Sequence, residues 1–91
     1  MFCVVAYDMP DDRRRTRFFK AMKGFGRHSQ LSVFECDLHE HQYKRMLKLI
    51  QKIIRPAEDN VKVYRICSGC LKNIECFGQA SVIVRPECVV I

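Results

Sequence analysis

The sequence predicts an α+β domain of the ferredoxin-like kind, an antiparallel sheet with two helices on one of its faces. Three observations predict it. Phe2 to Tyr7 is a short, almost wholly apolar run, the pattern of a central strand covered on its faces. Two stretches, one after Pro10 and one ending at Pro56, repeat apolar residues at helical spacing. The remaining apolar runs have strand length and interleave with those helices, the order in which helices gather on one face of a sheet. Ninety-one residues suffice for one core and no second one.

Each element has its own local reason. Pro10, Asp11 and Asp12 offer helix-start chemistry: carboxylate acceptors for free N–H groups and negative charge at the positive end of the dipole. Phe18, Phe19, Met22 and Phe25 then make one apolar face, and Gly24 and Gly26 end the helix. Ser29 to Asp37 alternates, with Leu31 and Val33 on one face and Ser32, Phe34 and Cys36 on the other, and is predicted as a single strand. Asp37 followed by Glu40 has capping-box spacing and opens a helix whose Tyr43, Met46, Leu47, Ile50, Ile53 and Ile54 keep one face until Pro56. Asn60 to Ile66 and Asn73 to Phe77 read as two strands joined through Cys67-Ser-Gly-Cys70, and Ser81 to Val84 as a short fifth. Residues 1–78 are expected to form the ferredoxin-like domain and 79–91 a C-terminal strand and tail. A fifth strand left over in so small a domain has an unpaired edge, which a second copy of the chain can cover, so a homodimer is expected.

Composition narrows the function classes. Sixteen Lys and Arg against ten Asp and Glu give a net charge of +6, which favours polyanions such as nucleic acid. A chain that is 48% hydrophobic and 29% charged excludes a disordered tail as its main content. No apolar run reaches the roughly 18 residues of a spanning helix and no export signal is evident, so the expectation is a cytoplasmic protein with no membrane association. In that compartment the six cysteines read as reduced thiols, with Cys3, Cys36 and Cys76 inside strands.

The chemistry concentrates where the first strand ends. Asp8 is expected at the sheet's end, between core and solvent, where it can ligate a hard cation or merely cap a turn. Residues 13 to 27 then carry five Arg and two Lys with no acid. Arg15 lies on the edge of the buried stripe and should lean toward Asp8, to grip a phosphate or to pair with a carboxylate. Arg13, Arg14 and Arg17 are either phosphate-backbone contacts or solvated charges. Lys23-Gly-Phe-Gly26 matches the first half of an RNA-recognition-motif signature, but Arg27, His28 and Gln30 stand where aromatic and apolar residues belong, so it is taken as a helix stop. Cys67-Ser-Gly-Cys70 has the spacing of half a zinc site without a second half, and a redox motif would open a helix rather than link two strands; a turn of small residues is preferred. His28, His39 and His41 show no nucleophile spacing and fit loop or cap positions.

Taken together, Y7-D8-M-P-D-D-R-R-R, K23-G-F-G, S32-V-F-E-C-D-L38, the helix end R55-P-A-E-D-N, V63-Y-R-I-C-S-G-C70 and I74-E-C-F-G78 resemble the CRISPR-associated protein two family. The resemblance covers about residues 2–78 in order, and the Y-D and S-V-F-E-C-D-L blocks are its specific parts. It implies a ferredoxin-like homodimer in which each fifth strand joins the partner's sheet, and in which the paired Asp residues hold Mg²⁺ or another divalent cation for cleavage of single-stranded RNA or double-stranded DNA. Carried over, Asp8 is the catalytic and metal-binding residue, with Tyr7, Ser32 and Phe34 supporting the site. Arg14, Arg15, Arg17, Arg27 and His28 are the expected nucleic-acid-binding residues; His28, with Arg27 beside it, stands where some members place an Arg. Members also bridge dimers of the CRISPR integrase during spacer acquisition, a scaffold role that needs no turnover at Asp8. A metal-dependent endonuclease and a non-catalytic DNA-holding scaffold are therefore the two expectations, ahead of a zinc or redox module at Cys67 and Cys70.

Overall fold

The computed structural model describes residues 1–78. Its elements run β1 (Phe2–Asp8), α1 (Asp12–Met22), β2 (Arg27–Gln30), β3 (Val33–Asp37), α2 (Glu40–Ile53), β4 (Asn60–Ile66) and the single turn α3 (Ser68–Leu71). The four strands form one antiparallel sheet in the order β2-β3-β1-β4. This is the βαββαβ arrangement of ferredoxin-like folds, as expected.

β1 is central because it is apolar on nearly every residue and pairs on both edges. Val5 stands opposite Phe34 on one side and opposite Val63 on the other. Cys3, Val5 and Tyr7 of β1 and Phe34 and Cys36 of β3 share one face with Phe18 and Met22 of α1 and Met46, Ile50 and Ile53 of α2. The predicted helical stripes are thus the surfaces that cover the sheet. On the opposite face a smaller cluster joins buried Phe2 and Cys76 to Val4, Ile66, Leu71 and Ile74. Asp11 caps α1, its Oδ2 accepting the Arg14 N–H at 2.8 Å.

Four expectations are corrected. Ser29 to Asp37 is not one strand but the hairpin β2–β3. The break comes at Ser32, whose φ of 63° turns the chain through the left-handed region, and the pairing shifts register between His28 and Gln30. α2 opens two residues later than Asp37 suggested. Asp37 is held in β3 opposite Phe2, and the cap forms at His39, whose N–H donates to Gln42 Oε1 at 2.9 Å. Cys67 to Leu71 is the start and body of a helical turn, so the expected strand Asn73 to Phe77 does not form, and only Cys76 makes an isolated bridge there. Cys76 is disulfide-bonded rather than reduced, while Cys3, Cys36, Cys67 and Cys70 are free. The predicted fifth strand Ser81 to Val84, and with it the 79–91 unit, lies outside the described residues.

Lys23-Gly-Phe-Gly26 does stop the helix, and Gly26 adds a packing reason. A Cβ there would overlap the Glu35 carbonyl and lie 2.5 Å from Cys36 Sγ. The hairpin passes over the helix end at a distance that only hydrogen permits. Gly26→Ala is therefore expected to lower stability by about 1–3 kcal/mol, the range of overpacked sites, and urea unfolding measures it; an unchanged midpoint would mean that β3 yields freely at this crossing.

Candidate functional site

The end of β1 is built from three elements. Asp8 closes the strand opposite Asn60 of β4, and buried Met9 anchors the turn into α1. Side chains alternate along a strand, so buried Tyr7 points toward the helices and exposed Asp8 toward the opposite face. The Tyr7 ring lies 4.8 Å from that of Phe18 and 6.1 Å from that of Phe34. Burial pushes its phenol up in pKa, and the nearby Arg15 guanidinium opposes that shift. The Tyr7 N–H donates to the Ser32 carbonyl at 3.1 Å, which fastens the tip of the β2–β3 hairpin to the strand end.

These elements enclose a cleft of about 210 Å³ lined by Tyr7, Arg15, Thr16, Phe19, His28, Leu31 and Ser32. Buried Phe34 packs against the cleft residues, with the His28 ring 5.2 Å away and Phe19 5.5 Å away. His28 stands edge-on to Phe19 at 4.9 Å, so it is part of an aromatic group and not the loop or cap histidine expected. Arg15 leans toward the strand end, as its position on the stripe implies. Its Nη1 donates to the Met9 carbonyl at 2.9 Å, and its Nη2 pairs with Asp12 rather than with Asp8.

The structure thus brings Tyr7, Arg15, His28, Ser32 and Phe34 together, and sets Asp8 beyond them across the sheet. Arg17 is exposed on α1, and Arg27 is exposed at the start of β2, opposite Glu35. Arg14 stands apart from both. Its Nε and Nη2 donate to Asp59 Oδ2 and Oδ1 at 2.5 and 2.9 Å, and only 13% of its side chain is exposed. A guanidinium held this way ties the first turn of α1 to the loop before β4. Asp59 escapes sequence reasoning because 45 residues separate it from Arg14. Thr16, Phe19 and Leu31 were also not foreseen as cleft residues. The signal for Leu31 is its exposure, 91%, at a hairpin tip.

The aspartates divide sharply. Asp11 caps α1, Asp12 pairs with Arg15, Asp37 lies 3.6 Å from the N-terminal ammonium, and Asp59 holds Arg14. Among the described residues, Asp8 alone of the aspartates has a carboxylate with no hydrogen bond or ion pair. It is also carried on the most firmly paired strand. No group of three His, Cys, Asp or Glu able to hold a metal occurs among the described residues. Asp8 could hold a cation that takes one or two carboxylates and fills its sphere with water and phosphate oxygens, as magnesium does.

Comparison with known proteins agrees in fold and in sequence. A crystal structure of a hypothetical protein from Thermus thermophilus superposes with a TM-score of 0.70 at 33% identity, over 74% of this chain and 82% of that one. Streptococcus pyogenes Cas2 superposes with a TM-score of 0.73 over 86% of this chain and 100% of that one, at 23% identity, a likeness of fold. A Synechocystis protein named CRISPR-associated endoribonuclease Cas2 3 is 33% identical over 88 residues, covering 97% of this chain and 96% of its own. One of the same name from Chloroflexus aurantiacus is 41% identical over 86 residues, covering 94% and 92%. No helix among the described residues is long and apolar enough to cross a membrane. The family model for CRISPR associated protein Cas2 matches residues 1–74, nearly all of the described chain, and the chain belongs to that family.

Proposed function

We propose that this chain is a cytoplasmic endonuclease of the CRISPR adaptation machinery, which hydrolyses phosphodiesters of single-stranded RNA or double-stranded DNA with Mg²⁺ or another divalent cation. It acts as a homodimer in which two Asp8 carboxylates approach one another. The observation that carries this reading is the unengaged Asp8 carboxylate at the end of a rigid central strand, beside a segment whose other acids are all occupied. The names of the endoribonuclease relatives support hydrolysis.

Asp8 would hold the cation. Bound there, a divalent ion polarises the phosphoryl oxygen and lowers the pKa of a ligated water. The remaining work falls to the chain. Arg13, Arg17 and Lys20 on the exposed side of α1 draw in the backbone, and Arg15, kept close to the strand end by Met9 and Asp12, orients a phosphate arriving there. Cleavage of end-labelled single-stranded RNA and duplex DNA with Mg²⁺ or with EDTA tests the reading. Metal-dependent products are expected; retained binding without cleavage under any divalent cation would overturn it.

The second reading is a scaffold that holds DNA and bridges integrase dimers in spacer acquisition, favoured by a net charge of +6 with basic residues exposed on α1. Both readings need the helix to contact phosphates. Arg17→Ala should weaken binding of any sequence and reduce the slope of log K against log[salt] by about 1 in magnitude. Arg14→Ala should leave that slope nearly unchanged, because its guanidinium is already held by Asp59. Binding isotherms from 50 to 200 mM salt, on the order used for such slopes, measure both; equal slope changes would return Arg14 to the phosphate-binding set.

A further inference from the structure

The nucleic-acid reading makes no use of Cys67-Ser-Gly-Cys70, and here the structure changes what the motif can do. It opens a helical turn instead of linking strands. Cys67 is the N-cap of α3, and its Sγ accepts the Cys70 backbone N–H at 3.4 Å. Three residues apart on one turn, the two side chains lie on the same side. Both cysteines are free and exposed. The other free pair, Cys3 and Cys36, faces across β1 and β3 but is fully buried, out of reach of reagents in solution.

Zinc would need four donors, and among the described residues no third His, Cys, Asp or Glu joins Cys67 and Cys70. Two adjoining exposed thiols are sufficient, by contrast, for a disulfide between themselves. They open on a cleft of about 560 Å³ walled by Val4, Tyr64, Arg65 and Ile66, with room for a small disulfide.

We propose that Cys67 and Cys70 form a thiol–disulfide exchange site for low-molecular-weight disulfides of the oxidised-glutathione type, with Cys67 as attacking and Cys70 as resolving thiol. The roles follow from asymmetry. Hydrogen bonds from the Cys70 N–H and S–H hold the Cys67 thiol below the ordinary range, while the same pairing pushes Cys70 up. Cys67 thiolate attacks one sulfur of the disulfide, breaking its S–S bond and releasing one thiolate, which takes up a proton. Cys70, giving up its proton, then attacks the Cys67 sulfur of the mixed disulfide and expels the second thiol. Two protein thiols are oxidised to one disulfide, and one small disulfide is reduced to two thiols. This site stands independently of the nuclease reading.

The full chain is equilibrated in oxidised and reduced glutathione mixtures, and its peptides are then mapped by mass. The wild type should lose two hydrogens on the peptide bearing Cys67 and Cys70, reversibly. Cys70→Ser should accumulate one glutathione on Cys67, and Cys67→Ser should acquire glutathione at Cys70 on the order of 10-fold more slowly. Two thiols that stay reduced, equal rates in the two variants, or stoichiometric zinc protecting the pair would each overturn the proposal.

Discussion

Asp8→Asn is expected to lower Mg²⁺-dependent cleavage by at least about 100-fold while leaving the fold and the affinity for nucleic acid intact. The substitution keeps the shape of the side chain and removes only its charge and one metal-ligating oxygen. Stability should be unmoved, with Tm constant to within about 2 °C, because the exposed Asp8 carboxylate has no hydrogen bond or ion pair to lose among the described residues. Affinity should hold or rise, since a negative charge beside a polyanion has gone. Single-turnover cleavage and fluorescence anisotropy on the same preparations separate the two effects. The four other aspartates provide the contrast, because each has an internal partner and its replacement acts on stability first. Equal cutting by wild type and Asp8→Asn would locate the activity elsewhere or in a contaminant, and would leave the scaffold as the better account of the fold.

What could be read in the sequence follows from how local each determinant is. The central strand Phe2–Tyr7 and the stripes of α1 and α2 are legible because burial imposes a period on neighbouring residues, and Phe18, Met22, Met46 and Ile50 sit where that period puts them. The β2–β3 turn is not, because Ser32 enters the left-handed region while Val33 to Cys36 continue the alternation begun before it. α3 is too short for any period, so Cys67 and Cys70 pass for a linker until the hydrogen bond between them is seen. At the site, the nearness of Tyr7, Arg15, Ser32 and Phe34 is legible from motif blocks. The opposite facing of Tyr7 and Asp8 is also implicit in strand alternation, and it separates the aromatic cleft from the carboxylate by the sheet itself. Charge is legible only in sum: the basic run after Asp12 looks uniform, yet Arg14 has a partner in the α2–β4 loop and Arg17 has no ion pair among the described residues, a distinction set by tertiary packing alone.

Asp59→Asn should be the most damaging single change to stability, lowering Tm by about 10 °C near neutral pH. The Asp59 side chain is wholly enclosed. It accepts from Arg14 Nε at 2.5 Å and Nη2 at 2.9 Å, and from the Arg55 N–H at 2.8 Å. That set ties the first turn of α1 to the loop between α2 and β4, and so holds the basic helix against the sheet. An amide keeps the volume but points a donor at a guanidinium, leaving a largely buried cation uncompensated. The paired Arg14 guanidinium, with the Arg55 N–H, keeps the Asp59 carboxyl below the usual carboxylate range. A carboxyl depressed in the folded state contributes stability that is present above the unfolded pKa of about 4 and is lost as pH falls through the folded value. The Tm of the wild type should therefore drop below about pH 4 more steeply than that of Asp59→Asn, and the gap between them should narrow with acid. A gap of equal size at neutral and strongly acid pH would show that shape, and not charge, explains the loss. The double variant Arg14→Met/Asp59→Leu completes the test: removing both charges at once should cost less than removing either alone, because neither is then left buried without its partner.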